Sequence, residues 1–336
     1  MNALPETPTV FSPPSRLRRI APLLGLVLLA YVLARLDGAA MVAAVKKLHV
    51  GALCAAAVTF ASNLLLKGLR WWRMLAAQNK PLSLPVALAA FFGSQFYGQV
   101  TLGRVGEFFR AEVLRERGES WASALSSCLV DRLFDVVAVC VLGLALGIVR
   151  LGWVFGTALI IPIAFGAFIL IVLIAGASGV SVPRSVALRA SAWIARAERR
   201  PWMRRAIEAG NDLLQSTRPL WRPWPLLQAC MWTVASWTLY FAALWILADG
   251  LELHAPRVVL AGAASLAALS ALLPVTISGL GAREVIYQKV LAAFEVSGET
   301  AVVLALAHLS VMTLTALSCG ACGLWIRRRQ RDQDEV

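Results

Sequence analysis

The amino-acid sequence predicts an all-α polytopic membrane protein, with six full transmembrane helices and two re-entrant helical hairpins in an inverted repeat. Three observations carry that expectation. Of 336 residues, 59% are hydrophobic and only 15% charged, against roughly 25% charged in an ordinary globular chain. The apolar residues come in long blocks. The basic residues, which give a formal net charge of +13, sit mostly at the ends of those blocks. Membrane orientation and anionic lipid account for that placement, and it argues against nucleic acid as a partner.

Residues 1–19 form a Pro- and Thr-rich tail ending in Arg16, Arg18 and Arg19, expected to be flexible and cytoplasmic. The apolar run 20–36 reads as an uncleaved first helix rather than a signal peptide, because further spans follow. Apolar stretches come next at 50–66, 84–103, 151–176, 224–248, 258–282 and 300–326, and 122–149 is apolar apart from Asp131, Arg132 and Asp135. At 1.5 Å per residue, each can cross or deeply enter a hydrocarbon layer of roughly 30 Å.

Charge decides how they are threaded. Eight simple crossings from a cytoplasmic N-terminus put 178–222 outside, yet that segment carries nine Arg: Arg184, Arg189, Arg196, Arg199, Arg200, Arg204, Arg205, Arg218 and Arg222. The positive-inside rule forbids this. If 84–103 dips in from the cytoplasm and returns, and 258–282 does so from the other side, every strongly basic segment faces the cytoplasm. Residues 20–149 then form a first repeat with a hairpin at about 84–117. Residues 151–326 form a second, with the Arg-rich loop 178–222 and a hairpin at about 258–296, before a cytoplasmic tail at 327–336. Three crossings per repeat make the halves inverted, an architecture of secondary transporters. Both termini are expected in the cytoplasm of a bacterium, the chain lying in its inner membrane.

Cysteine and histidine point away from redox and metal chemistry. All six Cys fall in apolar segments, Cys319-x-x-Cys322 has no second ligand pair, and His49, His254 and His308 are far apart in sequence. No metal, cofactor or catalytic residue is expected. No GxxxxGK[ST] loop occurs, which argues against ATP-driven transport by this chain alone.

The chemistry gathers at the hairpins. Gly98, Gly103 and Gly106 in the first, and Pro274, Gly279 and Gly281 in the second, let the backbone leave helical geometry at depth, which a membrane tolerates only beside protein or a wet cavity. Arg104, Glu107 and Arg110 follow the first break at three-residue spacing, and Arg283 and Glu284 follow the second. Asp131 and Asp135 lie four apart on one helix face, with Arg132 adjoining. A carboxylate at mid-bilayer costs about 2.5–3.5 kcal/mol on insertion scales, so such groups face the interior and pair. Arg forks and helix N-termini suit phosphate, while the carboxylates suit an amine, sugar hydroxyls or a proton; Arg132 is expected to keep the two aspartates apart in charge. The set suits an amphiphile with a phosphate head. Residues 184–222, with Trp193, Trp202 and Trp221 among the arginines, read as an amphipathic segment on the inner leaflet, broken by prolines.

Taken in order, Asn63, Arg70-Trp71, Gly103-Arg104-Val105-Gly106-Glu107-Phe108-Phe109-Arg110, Asp131-Arg132-Leu133-Phe134-Asp135, Leu273-Pro274 and Ser278-Gly279-Leu280-Gly281-Ala282-Arg283-Glu284 resemble the transmembrane region of the lysylphosphatidylglycerol synthase/flippase family, from about residue 20 to 326. The resemblance implies a lipid translocator, with supporting roles for Asn63, Arg70 and Trp71. It also implies lipid partners: a phospholipid, an aminoacylated lipid, a hopanoid or a polyprenyl-linked lipid. Leu102 stands where the family has Pro, which softens the expected kink. The chain ends at Val336 without a synthase domain, so aminoacylation is not expected of it. The expected function is therefore non-enzymatic lipid translocation. The alternatives are a membrane enzyme acting on a lipid phosphate or lipid-linked sugar, and an accessory subunit that docks a separate lipid or glycan synthase. An oligomer is compatible with all three.

Overall fold

The computed structural model describes residues 26–150, 201–271 and 279–334. Among them every regular element is helical. The chain opens with α1 (Leu26–Ala34) and α2 (Gly38–Lys47), which meet at a 101° bend. The bend has a local cause. Asp37 accepts a hydrogen bond from the Ala39 N–H at 2.9 Å and so caps a new helix. The first helix expected over 20–36 is thus cut at Ala34 in its described part.

Two 28-residue helices follow the membrane dimension more simply: α3 (Val50–Ala77) and α8 (Pro223–Gly250). Each is about 42 Å long. Helix α3 runs past the apolar stretch expected at 50–66 and carries Lys67, Arg70 and Arg73 within it. The two pack antiparallel: Ala52 lies against Gly250, Asn63 binds the Ser236 carbonyl, and Arg70 binds Thr233. With the last helix, α11 (Gly298–Asp334), these are the three described helices long and apolar enough to cross a membrane, four if the bent α1–α2 pair is one span. The stretch expected to cross at 151–176, and the Arg-rich loop up to residue 200, lie outside the described residues. The rest of that loop is α7 (Pro201–Thr217) and a 3₁₀ turn, Arg218–Trp221, interrupted at prolines as expected.

Two shorter helices each fold back on themselves. Helix α4 (Leu84–Val100) breaks at Thr101, and the chain returns along it as a 3₁₀ helix (Leu102–Arg110) and α5 (Ala111–Arg115). Gly98 abuts Glu107, and the Tyr97 and Phe109 rings lie 4.5 Å apart. Helix α6 (Trp121–Arg150) follows. In the second half, α9 (Arg257–Ser270) and α10 (Ala282–Ala292) pack on each other in the same manner.

Side-chain bonds sort the loops into two ends. At one end, Lys80 lies 3.8 Å from Glu119, Gln78 binds the Ser216 carbonyl at 3.0 Å, and Arg327 binds Glu116 at 2.9 Å. Glu116 is thereby tied to the last helix. At the other end, Lys47 pairs with Glu252 at 3.0 Å, and Leu36 lies against Gly298. The first folded-back pair begins and finishes at the former end. The second begins beside Asp249, which lies 3.6 Å from Arg257, and finishes beside Gly298 at the latter.

Apolar burial gives little drive within lipid, so close backbone approach and polar bonds must hold such helices together. The core fits that requirement. Ala56, Ala243, Ala263, Ala264, Ala267 and Ala305 are fully enclosed. Where α4 crosses α11, a Cβ at Gly320 or Gly323 would meet the Phe92 or Ala89 carbonyl oxygen at 2.9 and 2.7 Å, so only glycine admits that approach.

Candidate functional site

Helical periodicity builds the first wall of a cavity. On α3, Asn63, Lys67 and Arg70 stand at i, i+4 and i+7, one face of the helix. On α6, Asp131 and Asp135 share a face by the same spacing. When the two faces meet, Arg70 lands between the aspartates, donating to Asp131 Oδ1 at 2.8 Å and to Asp135 Oδ1 at 3.0 Å. It also donates to Thr233 Oγ1 at 2.8 Å and to the Asp131 carbonyl at 3.1 Å. Arg70, not Arg132, separates the two carboxylates. Residue 132 sits about 100° further round α6, and its guanidinium binds Glu107 at 2.9 Å instead.

The hairpin supplies the second wall. Gly103 and Arg104 both take left-handed backbone angles, φ 60° and 58°. Glycine adopts that conformation freely, whereas for Arg104 it stores about 1–3 kcal/mol of strain, and such strain clusters at functional sites. Thr101 bridges the break, its Oγ1 accepting from the Gly106 N–H and donating to the Tyr97 carbonyl, each at 2.8 Å. A Cβ at Gly106 would overlap the Tyr97 carbonyl group. The turn directs Arg104 onto Glu107 at 2.9 Å. Arg110 points the other way, into protein: it binds Asp131 Oδ2 at 2.7 Å and stacks 5.0 Å above Trp71. Trp71 in turn donates to Ser127 at 3.3 Å.

The result is a continuous buried ionic network. Asp131 is held by Arg70 and Arg110, Asp135 by Arg70 and Lys67, and Glu107 by Arg104 and Arg132. Every one of these carboxylate oxygens has a basic partner. Of the expected site residues, Arg104, Glu107, Asp131, Arg132, Asp135 and Arg283 line a single cavity of about 70 Å³, together with Asn63. Arg70, Arg110 and Trp71 stand behind its wall and hold the lining in place.

Glu284 does not join them. Its Oε2 accepts from the Gly281 N–H at 2.6 Å, so this carboxylate caps its own helix. Gly279 and Gly281 are left-handed, φ 80° and 84°, as a second backbone break requires. Pro274 lies outside the described residues.

Several lining residues escaped sequence reasoning. Lys67 binds Asp135 at 3.0 Å and lies 4.7 Å above the Trp237 ring, whose Nε1 also donates to Asp135 at 3.3 Å. Gln95, Gln99, Tyr240 and Thr313 add to the polar lining among the described residues. A lysine inside an apolar helix, three residues before an arginine, was a usable signal for Lys67. Tyr240, Trp237 and Thr313 carry none, being ordinary residues of apolar segments.

Among the described residues no group of three His, Cys, Asp or Glu could hold a metal ion, and Cys319 and Cys322 are free thiols. A family model described as the lysylphosphatidylglycerol synthase TM region matches residues 19–320. No curated protein and no solved structure matches the chain.

Proposed function

Because the chain belongs to the lysylphosphatidylglycerol synthase TM-region family, we propose that it is a non-enzymatic lipid translocator of the bacterial inner membrane, moving a phosphate-containing headgroup between two inverted halves. The cavity carries this reading: ionic groups from α3, the first hairpin and α6 line it, and Arg283 of the second hairpin meets them there. Ionisable side chains inside membrane spans are expensive and mark substrate or ion pathways by default.

The packing supports the inverted arrangement. Exchanging α3 with α8, α4 with α9, the first return segment with α10, and α6 with α11 maps the observed helix contacts onto one another. The α4–α11 contact answers to α9–α6, and the central α3–α8 pair, being antiparallel, maps onto itself. A two-fold axis across helices of opposite direction relates inverted repeats. With 151–176 as a further crossing, this gives six spans and two re-entrant hairpins. The end holding Arg327 and the Arg-rich segment faces the cytoplasm under the positive-inside rule. A separate lipid or glycan synthase docking at that face is compatible with it.

A volume of about 70 Å³ holds a few waters but no headgroup, so this is a closed state, and substrate passage requires the halves to part. Tail-labelled fluorescent phospholipid in proteoliposomes, bleached from outside by an impermeant reductant, tests the proposal. Wild-type protein bleaches both leaflets. Glu107→Gln, which leaves Arg104 and Arg132 without their shared partner, inserts normally and slows inter-leaflet movement at least about tenfold, the scale of one charge-assisted hydrogen bond. Unchanged movement in that variant refutes the assignment.

A further inference from the structure

Charge within the cavity is not balanced. The three carboxylates Asp131, Asp135 and Glu107 are already bridged by five basic groups. Among the described residues a sixth, Arg283, reaches the cavity from the other half of the molecule with no carboxylate paired to it. It is 2% exposed, and among those residues its Nε has no hydrogen-bond partner and its Nη1 reaches the Met312 sulfur at 4.0 Å. One oxygen of the neighbouring acid, Glu284, is committed to its helix cap, the other is buried without a partner, and the residue does not line the cavity. The intervening residues 272–278 contain no acid at all. A buried guanidinium without a counter-ion is costly, and the simplest compensation is an anion brought by a ligand.

We infer that the cavity selects lipids whose headgroup carries net negative charge concentrated on phosphate, a phosphomonoester or diphosphate, and rejects headgroups carrying an ammonium. The inference rests on the translocation reading and deepens it by naming the charge class of the substrate. An arriving phosphate finds Arg283 on one side and the Arg104 and Arg132 forks on the other, all lining the same space. An arriving ammonium finds no open carboxylate oxygen among the described lining residues and meets an excess of positive charge. Like-charge juxtaposition is how a site rejects the wrong partner. The aminoacylated lipid expected from the family resemblance therefore fits this chain's cavity poorly.

The test compares tail-labelled lipids in the same proteoliposomes: phosphatidate as the phosphomonoester, phosphatidylcholine as the zwitterion, and lysyl-phosphatidylglycerol as the cationic lipid. Phosphatidate is expected to move at least about tenfold faster than either, the scale of one charge-assisted hydrogen bond. Equal or faster movement of the cationic lipid overturns the charge assignment while leaving translocation standing. Movement of none of the three overturns the translocation reading itself. Arg283→Gln removes an unpaired buried charge and so melts no lower than wild type. It is expected to abolish the preference for phosphatidate, and a preference retained in that variant also overturns the inference. Should the variant fail to insert, the wild-type comparison decides alone.

Discussion

Arg70 is the side chain that joins both aspartates of the buried network to α3 and α8. Replacing it with Met keeps the unbranched apolar stem of the side chain and removes four hydrogen bonds: two to carboxylates, one to Thr233 Oγ1 and one to the Asp131 carbonyl. Breaking a buried ion pair by deleting one partner costs about 3–5 kcal/mol, because a desolvated charge is left behind. Here neither aspartate is wholly abandoned, since Arg110 still holds Asp131 at 2.7 Å and Lys67 still holds Asp135 at 3.0 Å. The loss belongs at the lower end, about 3 kcal/mol, which lowers the melting temperature of a chain this long by roughly 4 °C. Tryptophan fluorescence in detergent reports it, because Trp237 donates to Asp135 and Trp71 lies beneath Arg110. The decisive comparison is the double variant Arg70→Met with Asp135→Asn. If stranded charge is the cause, removing the carboxylate restores at least about half the loss, a coupling expected of groups sharing one network. A single variant melting within about 2 °C of wild type, or a double variant in which the losses add, refutes the network's structural role.

Two further outcomes probe the backbone and the threading. Gly106→Ala places a Cβ onto the Tyr97 carbonyl group with no flexible atom to yield. The hairpin must open, so expression in the membrane fraction and thermal stability fall sharply, whereas Gly118→Ala, with open space around it but a left-handed φ of 89°, costs about 1 kcal/mol. Comparable losses at both positions contradict the folded-back hairpin. In a background cleared of the six native cysteines, single cysteines at His49 and Glu252 should react with an impermeant thiol reagent from the periplasmic side. Cysteines at Asn79 and Gly118 should react only after permeabilisation. Labelling of all four from one side overturns the orientation drawn from the arginines.

Residue pattern made much of this legible, for physical reasons that stop at definite places. Long apolar blocks disclosed α3, α8 and α11 because a bilayer demands uninterrupted hydrophobic length. The four-residue spacing of Asp131 and Asp135 disclosed a shared face, and the glycines disclosed both breaks. Partner choice was not legible. Arg132 adjoins Asp131 in sequence, yet a helix turns neighbours about 100° apart, and only tertiary packing delivers Arg70 from 61 residues away. The bend at Asp37 depends on one capping bond that a count of apolar residues cannot weigh. Glu284 reads in sequence as one of the substrate-binding carboxylates, but a carboxylate three residues past a helix break serves the free N–H groups there first.

Two enclosed guanidinium groups show how structure and function divide in this core. Arg70 and Arg283 are equally hidden, 0% and 2% exposed. Arg70 spends its charge wholly on the protein, and its network fixes the mutual positions of α3, α6 and α8. Among the described residues Arg283 is paired with no acid: its Nε is unpartnered, its Nη1 reaches a thioether, and the phenol groups of Tyr240 and Tyr287 adjoin it. The fold could have met Arg283 with an acid, and the nearest one, Glu284, is instead turned away into a cap. Selection for stability alone would fill or neutralise such a position. Under the proposed translocation, a site that releases its ligand on the far side of a membrane also cannot hold it with many saturated partners. Among the described residues, one half therefore supplies a self-satisfied ionic wall and the other a cation without a carboxylate, and under the inference drawn above a lipid phosphate completes the charge balance only while it is inside.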